Sequence, residues 1–240
     1  MKKDIYLLCL LLFAASVLFT SCRDNDDEPY DDEPYISSSL DGVVINGVRW
    51  ATRNVDAPGT FAASPASPGM FFQWNRRQGW AATGNVTDWN NSTPTGTYWT
   101  RVNDPCPTGW RVPTQQEFDS LIEATFGFTF DTDETAKYAQ THWRNGTSSR
   151  RWVQNWRNTG TNGLIFGVEP NFIFLPAAGE RAESDGTLNF VGEAGSYWTG
   201  MLSTWGWEAP FSLTFSNVGM SGAIEGWTLY GMSVRCVADE

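Results

Sequence analysis

The chain has 240 residues, 41% hydrophobic and 15% aromatic, with 13 Trp, four Cys and one His; this is enough apolar material for one large domain or two small ones. Its 16 Lys and Arg against 27 Asp and Glu give a formal charge of −11, which removes the cationic footprint that a nucleic-acid backbone requires. The shortage of His and Cys also excludes the common zinc sites, which draw their ligands from several such side chains.

Residues 1–21 read as a signal peptide. Lys2 and Lys3 precede an apolar run from Ile5 to Phe19, which at about 1.5 Å per residue falls short of the roughly 30 Å hydrocarbon core. The run ends in Phe19-Thr20-Ser21-Cys22, which resembles the lipobox of bacterial lipoproteins, with Phe where Leu is usual. The resemblance implies cleavage before Cys22, lipid attachment at Cys22 and membrane contact through the acyl chains alone. Residues 22–36 read as an extended acidic tether, because seven acids between Asp24 and Glu33, with Pro29 and Pro34, repel one another and offer no apolar periodicity. From residue 36 onward 13 basic and 19 acidic residues remain, a charge of −6. An acidic stretch behind a lipidated Cys resembles the surface-export signal of Bacteroidetes lipoproteins; a solvated spacer is the alternative.

Residues 37–240 form one compositional unit. Asn46-Gly47 between Val43-Val44-Ile45 and Val48-Arg49-Trp50 predicts a hairpin with a two-residue type I′ turn. Residues 61–97, dense in Gly, Pro, Ser and Thr, predict irregular structure pinned by Trp74, Trp80 and Trp89. A short strand is expected at 97–100. Thr114 with Glu117 forms a capping box, and Phe118, Leu121 and Ile122 one apolar stripe, so a helix should run over about 115–124. A second short helix is expected over 134–140. The last third predicts strands at 172–176, 195–199, 211–215 and 231–237. Gly-x-Tyr-Trp-Thr occurs at 96–100 and at 195–199, too little to make a repeat architecture.

Cys9 leaves with the signal and Cys22 is the lipid site, so Cys106 and Cys236 are left as a pair in an oxidising compartment, where a disulfide is expected. The residues alone therefore give an α+β fold with a terminal disulfide.

Four motifs in order carry a family resemblance: Val44 to Val55, Cys106 to Thr114 with Glu117, Leu175 to Gly179 with Tyr197-Trp198-Thr199, and Ser233 to Val237. Together they resemble the Fibrobacter succinogenes major paralogous domain over roughly 41–238. That family is similar to the C-type-lectin-like superfamily, which implies small antiparallel sheets, one or two helices and long loops. The superfamily also contains the formylglycine-generating enzyme type, which depends on redox-active cysteines near the C-terminus, whereas this chain has Cys236 alone there, so a binding domain rather than an enzyme is expected.

Candidate chemistry is sparse. His142, the only His, has no recognisable partner pattern for nucleophilic catalysis. Glu169-Pro170-Asn171 resembles the Glu-Pro-Asn of mannose-type C-type lectins, which makes Glu169 and Asn171 candidate calcium ligands, but the downstream Trp-Asn-Asp of that site is missing. Otherwise no metal or cofactor is expected. Trp152, Trp156, Trp205 and Trp207, with Arg151 and Arg157, either present ring faces and polar groups to a sugar or serve as core staples with Arg stacked on them. The sequence thus reads as a surface-exposed outer-membrane lipoprotein that recognises a glycan or a host or cell-surface ligand. The alternative is a structural or adhesive, fimbria-associated component that contacts proteins.

Overall fold

The computed structural model describes residues 42–127, 141–142, 151–202, 209–222 and 228–239, with backbone alone at 141–142 and 221–222. The leader, the tether, Cys22 and the helix expected over 134–140 lie outside these. The fold over the described residues is α+β, built of small antiparallel sheets and a single α-helix.

The first hairpin forms as its turn chemistry requires. Strands β1 (Val43–Ile45) and β2 (Val48–Trp50) pair with Ile45 opposite Val48, and the turn residues take φ of 47° at Asn46 and 82° at Gly47. Two further strands, β3 (Phe71–Gln73) and β4 (Gly79–Trp80), arise inside the segment expected to be irregular. After β5 (Trp110–Arg111) comes helix α1 (Gln115–Phe126). Its start is the expected capping box: Glu117 N–H donates to Thr114 Oγ1 at 3.2 Å, and Thr114 N–H donates to Glu117 Oε2 at 2.7 Å. Gly127, at φ 72°, closes the helix later than the expected residue 124.

The remaining strands are β6 (Thr141–His142), β7 (Trp152–Val153), β8 (Gly163–Val168), β9 (Asn171–Pro176), β10 (Glu180–Arg181), β11 (Leu188–Asn189), β12 (Ala194–Leu202), β13 (Pro210–Ser216), β14 (Gly219–Gly222), β15 (Gly231–Met232) and β16 (Val237–Ala238). They assemble into sheets ordered β1-β2-β16-β5, β11-β10-β15-β3-β4, β12-β13-β14-β6 and β7-β8-β9. Helix α1 buries Phe118, Leu121 and Ile122 in a core with Trp50, Leu164, Phe166, Leu175, Tyr197 and Phe215. Each such side chain contributes roughly 1.5–3 kcal/mol relative to exposure.

Two expectations change. The strand expected at 97–100 is a single bridge from Tyr98 to Met201, because a turn from Thr100 O to Asn103 N–H ends the pairing at once. The strand expected over 231–237 divides into β15 and β16, because the segment changes partners: Met232 pairs with Phe72, Ser233 bridges Tyr197, and Val237 pairs with Trp50 and Arg111.

The expected disulfide links Cys106 to Cys236 with Cα atoms 6.1 Å apart and a sequence separation of 130. Beside it lies Arg235, fully buried. Its Nε and Nη2 donate to Asn54 Oδ1 at 3.0 and 2.7 Å, its Nη1 to Ala51 O at 3.1 Å, and its Nη2 also to Phe174 O at 3.0 Å. Tyr197 completes the junction by donating to Pro176 O at 2.9 Å and accepting from Asn54 Nδ2 at 3.3 Å. Burial pulls the Arg235 guanidinium down to about 10 and pushes the Tyr197 phenol up to about 12.

Candidate functional site

A polar concavity lies at the tip of the β3–β4 hairpin. Gln73, Trp74 and Asn75 are all buried and fasten that tip inward. Gln73 Nε2 donates to Asn90 O and Leu229 O at 2.8 and 3.0 Å, and Trp74 Nε1 donates to Thr199 O at 3.2 Å. Asn75, at φ 53°, acts as the clasp. Its Nδ2 donates to Thr95 O at 2.9 Å, while its Oδ1 accepts from Thr100 N–H at 2.9 Å, Thr100 Oγ1 at 3.2 Å and Asn103 Nδ2 at 3.3 Å. With 73–75 committed to the interior, Arg76, Arg77 and Gln78 turn outward. A cleft of about 380 Å³ opens between them and the 92–95 segment, with Asn75 and Asn103 at its base.

This cleft is lined by amides, hydroxyls and two guanidinium groups, and by no carboxylate. Arg76 Nη2 donates to Ser92 O and, at 2.8 Å, to Ser92 Oγ. Its Nε is buried without a hydrogen-bond partner, and burial pulls its guanidinium below its ordinary value. Arg77 Nη1 donates to Asp104 O. Among the described residues, neither arginine forms an ion pair.

Arg77 also borders an adjoining hollow of about 300 Å³, shared with Arg101, Asp104, Trp110 and Asp239. There the charges are matched. Arg101 pairs with Asp239, and Arg111 reaches Glu117 Oε1 at 2.7 Å and Asp239 Oδ1 at 3.9 Å. Asp104 is buried and accepts from Cys106 N–H at 2.8 Å and Val112 N–H at 3.1 Å. Burial raises its carboxyl above the ordinary range against the pull of those donors and of Arg101 and Arg77. A third cleft, of about 320 Å³, carries Tyr98, Trp99 and Met201 beside Arg101. Tyr98 is 62% exposed there.

Trp152 and Trp156 are not gathered into one platform. Trp152 pairs with Leu164, which pairs with Leu175, so its half-buried ring points to the inner face of the β7-β8-β9 sheet and meets Phe215 edge-on at 6.5 Å. Trp156 lies over Phe174, on the opposite face, stacked at 4.5 Å and 4°. The Arg157 guanidinium stands 4.9 Å from that indole, so the ring is sandwiched. Arg151 Nη1 donates to Gly167 O. Trp205 and Trp207 lie outside the described residues. Trp152 packs against the core, and Trp156 is a half-buried ring on the sheet's other face.

Glu169, Pro170 and Asn171 are exposed and form the β8–β9 turn, with a cis bond between Glu169 and Pro170. Calcium takes about 6–8 oxygen ligands, and no group of three or more His, Cys, Asp or Glu gathers anywhere among the described residues. The turn by itself does not supply such a ligand set. His142 sits on β6, the edge strand of its sheet, where Gly219 is its partner.

The only sequence signal for the cleft is the Arg76-Arg77 dipeptide, two of 16 cations in an acidic chain. No protein-family model, curated protein or solved structure matches the chain.

Proposed function

We propose that this chain is an exported lipoprotein, anchored in the outer membrane through Cys22 and facing the exterior, whose domain 37–240 is C-type-lectin-like and binds a glycan without catalysing a reaction. The leader and Phe19-Thr20-Ser21-Cys22 support the address, and the ordered motifs from Val44 to Val237 support the kind of domain. The observation that carries the function is the Arg76–Gln78 cleft. Amide, hydroxyl and guanidinium groups converge there on a base held by Asn75, the donor-rich lining that a polyhydroxylated ligand needs. The ligand enters here rather than at Glu169 and Asn171, so the reading uses no calcium.

The test is a glycan array with the full-length chain in detergent, run in calcium and again in EDTA. Binding in both, lost in Arg77→Gln, is expected. Loss in EDTA alone would move the site to the Glu169–Asn171 turn, and a blank array would end the glycan reading.

A second reading, a fimbria-associated adhesive component, has one observation in its favour. Phe190 is 55% exposed at φ 58°, next to Val191 at 56%, an apolar tip that costs backbone strain and that a protein partner would cover. Crosslinking on intact cells, with Phe190→Ser as the comparison, tests it.

A further inference from the structure

We infer that the ligand of the Arg76–Gln78 cleft is an acidic saccharide, one whose carboxylate or sulfate group sits between Arg76 and Arg77. This deepens the glycan reading and rests on it. The domain carries 13 cations against 19 acids, and most of its described arginines have partners in place: Arg101 and Arg111 share Asp239, Arg111 also holds Glu117, Arg49, Arg53 and Arg157 lie over aromatic rings, and Arg151 donates to Gly167 O. Arg181, fully buried, is enclosed by the carbonyls of Ala81, Thr83, Gly84 and Gly186.

Arg76 and Arg77 stand apart as adjacent like charges at a hairpin tip, without an ion pair among the described residues; both border a cleft whose lining has no carboxylate, and Arg77 also borders the hollow of Asp104 and Asp239. Arg76 is half-buried and its Nε has no hydrogen-bond partner. Two adjacent like charges repel one another, and an oxyanion between them relieves that repulsion. A guanidinium offers a planar fork of N–H donors that matches a carboxylate or a sulfate and makes charge-assisted hydrogen bonds with it.

The rest of the cleft defines the class of molecule. Gln78, Thr93 and the outer atoms of Asn103 border the two cations, and these groups hydrogen-bond hydroxyls of either polarity. An anion on a polyhydroxylated frame satisfies both halves. The negative domain as a whole repels polyanions at long range, so recognition depends on these two side chains and not on a diffuse basic patch. Exchange of the anion for a hydroxyl therefore forfeits binding.

Titration of the full-length chain in detergent and EDTA tests the inference. The probes are oligogalacturonate and 3′-sialyllactose, which carry carboxylates only, dextran sulfate, which carries sulfates only, and neutral maltoheptaose; polyglutamate stands for an acidic protein segment. Binding of at least one anionic saccharide is expected, at least tenfold tighter than maltoheptaose and polyglutamate, and the carboxylate and sulfate probes separate the two oxyanions. Arg76→Gln with Arg77→Gln should weaken it at least tenfold. Thr93→Glu, a change at an exposed position that leaves both arginines in place, should do the same by putting a carboxylate where the ligand's would lie. Arg49→Gln, on the exposed face of β2, should bind as the parent does.

Maltoheptaose bound as tightly as the acidic sugars would overturn the inference and leave the glycan reading standing. Polyglutamate bound as tightly would overturn it in favour of a protein ligand. Acidic sugars that bind equally to the parent and to Thr93→Glu would show a site elsewhere, and no binding of any probe would overturn both readings.

Discussion

Arg235 and Arg76 both lack carboxylate partners among the described residues, and they differ in how completely neutral oxygens replace them. At the sheet junction, Arg235 directs all three of its nitrogens to Asn54 Oδ1, Ala51 O and Phe174 O. It fastens the segment before β16 to the loop after β2 and to β9. At the β3–β4 tip, Arg76 satisfies one nitrogen with Ser92 and leaves Nε buried and unmatched. The first arrangement is complete and leaves nothing for a ligand to add. The second is unfinished, and it stands beside Arg77 at a cleft whose lining has no carboxylate, so the adjacent charges are what an anionic ligand can neutralise. Burial of a cation is therefore no guide to function until its donors have been accounted for one by one.

The largest expected effect asks what holds the C-terminal segment at the junction. Replacing Cys106 and Cys236 with Ser opens a loop spanning 130 residues and should cost about 4–5 kcal/mol on the chain-entropy account, read as a shift in the denaturation midpoint. If Arg235 and the pairing of Val237 with Trp50 and Arg111 were sufficient alone, the loss would be much smaller and the disulfide secondary.

Next in size is Arg235→Met. The new side chain fills the space but leaves Asn54 Oδ1 and the Ala51 and Phe174 carbonyls without their donor, at about 3 kcal/mol in all. Chemical denaturation of the oxidised protein measures it. A cost below about 1 kcal/mol would mean that water or a shifted Asn54 replaces the guanidinium, and the distinction between a finished and an unfinished arginine would fail at its better-defined end.

Much of the architecture was legible because its signals are local. Asn46-Gly47 dictates positive φ at both turn positions, the Thr114 and Glu117 pair caps the helix across one turn, and Cys106 and Cys236 are the only thiols left to pair. The arginine cages were not legible, since Arg235 meets Asn54 across 181 positions and Arg181 meets Ala81 across 100. The twin Gly-x-Tyr-Trp-Thr segments show the same limit. Tyr197 lies on β12, a strand of nine residues, and is fully buried, whereas Tyr98 sits in a single bridge and is 62% exposed. Trp152 and Trp156 read as aromatic candidates because each lies beside Arg in a segment that looks like a loop. The register of β7 with β8 puts them on opposite sides of a sheet, and that register is not written in the intervening residues. The candidate cleft left only a dipeptide as its trace.

Two carboxylates on helix α1 extend the comparison to acids, with a smaller effect. Burial would raise Glu117, but the Arg111 fork and the Thr114 donors outweigh it and hold its carboxyl below the ordinary range. Asp119 is half-buried with nothing opposing, and burial alone pushes it up to about 6. The signs are opposite. A depressed pKa stabilises the folded chain above the ordinary carboxylate value and ceases to as pH falls through the folded value. A raised one favours the folded chain when protonated, a contribution present at low pH and lost as pH rises through about 6. The parent protein should therefore become more stable from pH 7 to pH 5 and less stable below pH 4. Asp119→Asn should gain about 1 kcal/mol at pH 7, discounted for partial exposure, and flatten the upper limb in thermal melts. Glu117→Gln should flatten the lower one.

The smallest effect on stability is expected where the effect on binding is largest. Arg77 is exposed and its described hydrogen bond is to a backbone carbonyl, that of Asp104, which water can satisfy in its place. Arg77→Gln should therefore change the unfolding free energy by no more than about 0.5 kcal/mol, measured beside Arg235→Met in the same denaturant series. A loss comparable to that of Arg235→Met would make Arg77 a structural strut between the hairpin tip and the Asp104 loop, and the cleft's charge would then be a by-product of holding two loops together. Near-neutrality leaves the cation without a folding role to explain it. The two adjacent charges and the carboxylate-free lining of the cleft then have their physical account in the ligand they would receive.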